Sequence, residues 1–145
     1  MIMKKIFAFA VLCCTATMSF AQQNSDMIDM KKHHIVLQFS DGDSESQASV
    51  TAQVKNILNA WPNAEIEVVC HGPGLDLLTT AGSKSSSALK ELAAKGVIFS
   101  ACNNTMRKRN LKKEDLLSEV RIVPSAMVQL ATRQEEGWAY MKGGH

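Results

Sequence analysis

Three short apolar runs, each followed by residues at helical spacing, constrain this chain more than any other feature. Residues 34–40, 64–70 and 97–100 read as strands of near-continuous apolar character. Such runs fit strands buried on both faces. Val50, Val54, Ile57, Leu58 and Trp61 recur at helical spacing, which predicts an amphipathic helix over 46–60. Ser44 or Ser46 would cap it, and Pro62-Asn63 would end it. Leu75, Leu77 and Leu78 suit one helical turn. Ala88, Leu89, Leu92 and Ala93 suit the inner face of a second helix that stops at Gly96. Short helices are expected at 104–109 and 113–118, and a fourth strand at 119–123. A last helix is expected from Pro124-Ser125, turning Met127, Leu130, Ala131, Trp138 and Met141 inward. The order β-α-β-α-β-α-β-α predicts an α/β fold with a mainly parallel sheet.

The N-terminus is set apart from this pattern. Lys4 and Lys5 precede an apolar run from Ile6 to Cys14, then Ser19-Phe20-Ala21 ends on small residues and Gln22 opens a polar stretch. That order predicts a secretory signal peptide over 1–21, a polar tether over 22–32 and a domain over 33–142. The apolar run is shorter than a span of about 20 residues, so no stable membrane span is expected after cleavage. The expected location is outside the cytoplasm, in the periplasm. Cys13 and Cys14 lack the residues that normally precede a lipidated cysteine.

The formal charge of +2 falls to near neutrality without Lys4 and Lys5. The basic residues are dispersed except at Arg107–Lys113, and no basic-aromatic interleaving occurs. No nucleic-acid footprint is expected. Cys70 and Cys102 are the cysteines that survive cleavage, too few for a disulfide-rich scaffold. His33, His34, Cys70 and His71 do not fall at zinc-ligand spacing.

Ligands of open parallel sheets bind beyond the carboxyl ends of the strands. Three loops share that edge here, at 40–43, 71–74 and 101–104. Cys102 ends the third strand, where backbone N–H groups can stabilise a thiolate. His71 can approach it from the neighbouring loop and take or balance its proton. Gly72 belongs to the same loop, and Asn103 and Asn104 follow the cysteine as amide donors. Each has a plainer reading. Cys102 is then a packed thiol, His71 a partner of a loop carbonyl, Cys70 a structural strand residue and Asp41/Asp43 a turn and cap. The chain has no Cys-x-x-Cys redox motif and no nucleophile elbow.

Four stretches carry a resemblance to a known family. They are Val68-Val69-Cys70-His71-Gly72-Pro73-Gly74-Leu75, the run from Gly96 to Met106, Val123-Pro124-Ser125, and Gln134 to Lys142. Together with the opening strand and helix, they resemble the DsrE/DsrF-like family of small α/β sulfur-relay proteins. The resemblance implies a compact three-layer α/β/α sandwich of flavodoxin-like architecture that assembles into homo-oligomers or hetero-oligomers, often trimers or hexamers, with a sulfur donor or acceptor protein as partner. It implies that Cys102 accepts a sulfane sulfur as a persulfide, with no cofactor and no metal. It implies that Trp138 and Tyr140 pack or line an interface.

The first functional expectation is therefore sulfur binding and transfer on Cys102. His71 would tune the thiolate, and Asn103, Asn104 and Gly72 would line the site. A non-catalytic assembly module of the same fold is the alternative. A redox sensor bridging Cys70 and Cys102 is the third, and requires the two Cα atoms within about 7 Å.

Overall fold

The computed structural model describes residues 29–145. The expected signal peptide and the first part of the tether lie outside the described residues. Strands β1 (His34–Phe39), β2 (Glu65–Cys70), β3 (Ile98–Cys102), β4 (Val120–Val123) and β5 (Ala139–Lys142) form one sheet in the order β4-β3-β2-β1-β5. All four pairings are parallel. Helices α1 (Ser44–Ala60), α2 (Ser86–Ala94), α3 (Asn103–Lys108) and α4 (Ala126–Glu135) connect them. Gly72–Leu78 and Lys113–Asp115 are 3-10 segments.

The strand pleat sorts the side chains into two cores. Ile35, Leu37, Phe39, Ile66, Val68, Cys70, Phe99 and Ala101 leave one face and pack with Val50, Val54, Leu89 and Leu92 of α1 and α2. Val36, Val69 and Cys102 leave the other face and pack with Ala126, Leu130 and Trp138. The second core is much the smaller, and α4 is the helix that contributes to it. Among the described residues, no helix is long and apolar enough to cross a membrane.

The sandwich matches the sequence expectation, with differences at particular elements. Asp43, and not a serine, caps α1, its Oδ1 accepting the Ser46 N–H at 2.8 Å. The expected helix over 113–118 is reduced to one 3-10 turn. The last helix ends at Glu135, because Gly137 takes a left-handed φ of +87° and reverses the chain. Residues 139–142 then form a fifth strand along β1. Met127, Ala131 and Met141 are accordingly exposed, while Leu130 and Trp138 are buried.

Residues 29–33 are docked. The Asp29 N–H donates to Ala60 O, and the His33 ring stacks on Trp61 at 4.0 Å.

Candidate functional site

The parallel register carries β1, β2 and β3 to a common edge. Phe39 pairs with Cys70, and Cys70 with Ala101. The turn after β2 closes tightly over that edge. A Cβ on Gly74 would lie 2.6 Å from Phe39 O and 2.7 Å from Ser40 Cα, so only glycine lets the turn approach. Gly72 has φ +54° and open space around its Cα, so its requirement is conformational.

Cys102 is the last residue of β3 and the N-cap of α3. It is 4 % exposed, less open than its strand-end position suggests. The cause is the first turn of α4, which follows β4 directly and folds over the thiol. The Ala126 N–H, at the start of α4, donates to Cys102 Sγ at 3.3 Å. The amides of Thr105 and Asn104 and the Thr105 hydroxyl also face the sulfur, without closing a cap hydrogen bond to it. Burial alone would raise the thiol pKa. These donors outweigh burial and hold it below its ordinary value. Helix N-termini favour negative charge in the same sense.

Cys70 shows the opposite behaviour. It lies fully buried in the larger core, and burial pushes its thiol far up. Both cysteines are free. Because Cys70 pairs with Ala101, Cys102 lies one residue further along the pleat and leaves the opposite face. The sheet itself therefore separates the two sulfurs.

His71 follows the end of β2, and its ring is engaged away from Cys102. Its Nε2 lies 2.8 Å from Gln38 Nε2, and Gln38 Oε1 accepts the Tyr140 hydroxyl. In this arrangement the amide donates to Nε2, leaving a neutral imidazole with its proton on Nδ1. Burial holds its pKa below the usual histidine value, which favours the same neutral form. Among the described residues, no hydrogen bond joins His71 to Cys102. Asn103 and Asn104 open α3. The side chain of Asn104 accepts from Arg107 and turns away from the thiol, so its contribution is its backbone amide. The Gly72 N–H donates to Thr105 Oγ1 at 3.1 Å, which ties the turn to α3.

Two features escape sequence reading. Thr105 ties the Gly72 turn to α3 through its hydroxyl, in the first turn after Cys102. Glu67, in the middle of β2, is fully buried beneath α4. Its carboxylate accepts from Ser100 Oγ at 2.6 Å, from Arg121 and Arg133 at 2.5 Å each, and from Gln129 at 3.0 Å. Burial would raise its pKa, but the Ser100, Arg133 and Arg121 donors lower it further than burial raises it. Arg133 also stacks over Trp138 at 4.2 Å. This network spans β2, β3, β4 and α4, and so fixes the helix whose first amide meets Cys102. The signal was a glutamate set between Ile66 and Val68 inside a strand buried on both faces.

Among the described residues, no three His, Cys, Asp or Glu side chains gather as a metal-binding group.

Comparison with known proteins places this geometry among relatives. A sequence model of the DsrE/DsrF-like family matches residues 33–142. A protein of unknown function, MTH1491 from Methanobacterium thermoautotrophicum, is 32 % identical in sequence. The match covers 76 % of this chain and 98 % of that one, with a TM-score of 0.73. The ychN protein from E. coli is 17 % identical, over 78 % of this chain and 99 % of that one, with a TM-score of 0.63. A conserved protein of unknown function, BT1422 from Bacteroides thetaiotaomicron, is 11 % identical, over 75 % and 93 %, with a TM-score of 0.62. The last two share the fold. No curated protein matches the chain.

Proposed function

This chain belongs to the DsrE/DsrF-like family, and from that premise we propose that it carries sulfane sulfur on Cys102. The observation that supports the reading is the Ala126 N–H donated to the Cys102 sulfur at 3.3 Å at the N-cap of α3, where main-chain donors hold the thiol pKa down despite its burial. A thiolate is the nucleophile in sulfur exchange.

The step balances without a cofactor or oxidant. The Cys102 thiolate attacks the outer sulfur of a persulfide R–S–SH. A Cys102 S–S bond forms as the donor S–S bond breaks, and R–S⁻ leaves with the bonding electron pair. The same donors that favour the thiolate also favour the charged persulfide. Release to an acceptor thiol is the reverse exchange with a different partner.

The reading includes export, supported by the charged, apolar and small-residue order of residues 1–21. It also includes assembly with further copies, supported by the exposed Met127 and Val128 of α4, which an interface would cover.

One observation favours a second reading. At 4 % exposure Cys102 is as shielded as many packed thiols, which fits an assembly module without turnover. Alkylation of the folded protein at neutral pH separates the two. A sulfur acceptor shows Cys102 modified while Cys70 stays protected until denaturant is added. If neither cysteine reacts before unfolding, the assembly module stands instead.

A further inference from the structure

Beside the thiol lies a groove of about 570 Å3 that the sulfur chemistry alone leaves unused. Its walls are the His71–Pro73 turn and one side of α3, with Thr105 between them and Asp76, Lys108 and Arg109 at the rim. That volume suits a small-molecule ligand. Thr105 belongs both to this wall and to the environment of the sulfur. Its hydroxyl accepts the Gly72 N–H at 3.1 Å, and the residue stands one helical turn beyond Cys102, the N-cap of α3. The groove wall and the thiol thus share one short helix, α3.

The rim carries excess positive charge. Arg109 is held in place by Asp76 at 2.5 Å and also reaches Gly72 O at 3.4 Å. Lys108 is exposed and makes no ion pair among the described residues. One carboxylate thus faces two cations, and one of those cations is free to meet a ligand. His71 adds a neutral imidazole edge.

We propose that this groove holds the carrier of the incoming sulfur, and that the carrier is a low-molecular-weight thiol bearing carboxylates. The inference rests on Cys102 being a sulfur acceptor and adds the class of donor. Lys108 and Arg109 grip the carboxylates while the outer sulfur of the donor persulfide reaches past Thr105 to Cys102. The Cys102 S–S bond forms, the donor S–S bond breaks, and the anionic thiol is left in the groove to dissociate.

Two probes test it. S-methylglutathione has the carboxylates but no sulfur to give. Titrated into the 15N-labelled wild-type protein, it is expected to shift the amides of Gly72, Thr105 and Lys108. Lys108→Glu is expected to weaken that binding about tenfold, and added salt to weaken it in the wild type. Loading by glutathione persulfide is expected to slow about tenfold in Lys108→Glu, with loading by cationic cysteamine persulfide not slowed. Equal response of both donors to Lys108→Glu, or amide shifts confined to other surfaces, overturns the groove assignment and leaves Cys102 as acceptor untouched. Binding of S-methylglutathione at the groove with no sulfur added from either donor overturns the acceptor reading instead, and with it the role of the groove in delivery.

Discussion

Cys70 and Cys102 end adjacent strands of one sheet, and their side chains leave it by opposite faces. Cys70 enters the larger apolar core, where nothing compensates the loss of water. Cys102 enters the smaller one, where main-chain donors meet it. Two thiols in one small domain are thus set to opposite acidities by a single step of the pleat. The same step places the sheet between them, so a bridge between them would require β3 to shift its register by one residue.

Thr105→Val tests the hydroxyl that faces the sulfur. The pH profile of Cys102 alkylation should move to higher pH, because a donor to the thiolate is lost. Stability should fall by about 1 kcal/mol, since the Gly72 N–H also loses its acceptor. Thr105→Ser should restore both. A Thr105→Val profile that overlays the wild type would contradict the role assigned here.

His71→Gln should move the same alkylation profile less than Thr105→Val does. The imidazole is neutral and already paired with Gln38, so it neither takes the thiol proton nor balances the thiolate. A larger shift in His71→Gln than in Thr105→Val would restore histidine as the group that tunes the thiol.

Glu67→Gln should destabilise the fold at pH 7 by about 3 kcal/mol, because Arg121 and Arg133 lose the charge that pairs them. The carboxyl pKa is lowered in the folded state. Its contribution is therefore full above the unfolded value, about 4.3, and is lost as pH falls through the folded value. Urea unfolding at neutral and acidic pH should show the gap between wild type and variant closing in acid. A gap independent of pH would contradict this account.

The two glycines of the turn after β2 should respond differently. Gly74→Ala meets backbone atoms of Phe39 and Ser40 and should cost about 2 kcal/mol or more, with the turn displaced. Gly72→Ala meets nothing and carries only the left-handed strain, about 1 kcal/mol. Denaturant unfolding of both variants checks the order.

The inner strands were legible because burial on both faces leaves a nearly continuous apolar run, as in Ile35-Val36-Leu37 of β1. Strand β5 was not, for a physical reason. It is an edge strand, exposed along its length, and so has no alternation to read. Trp138 and Met141 then continue the spacing of α4. Gly137 was the available signal, as a glycine at a helix end. Cys102 was found from its place at a strand end. Its donors were hidden because they are main-chain groups, and Ala126 lies 24 residues away. The partners of Glu67 lie 33 to 66 residues from it, so no local pattern marks the cluster.

The central claim is that Cys102 accepts sulfur. Intact mass spectrometry of the folded protein after exposure to a persulfide donor tests it, with wild type beside Cys102→Ser. The account predicts the mass of one added sulfur atom on the wild type and none on the variant. Sulfur retained by Cys102→Ser, or no adduct on a wild type whose Cys102 also resists alkylation, would contradict it.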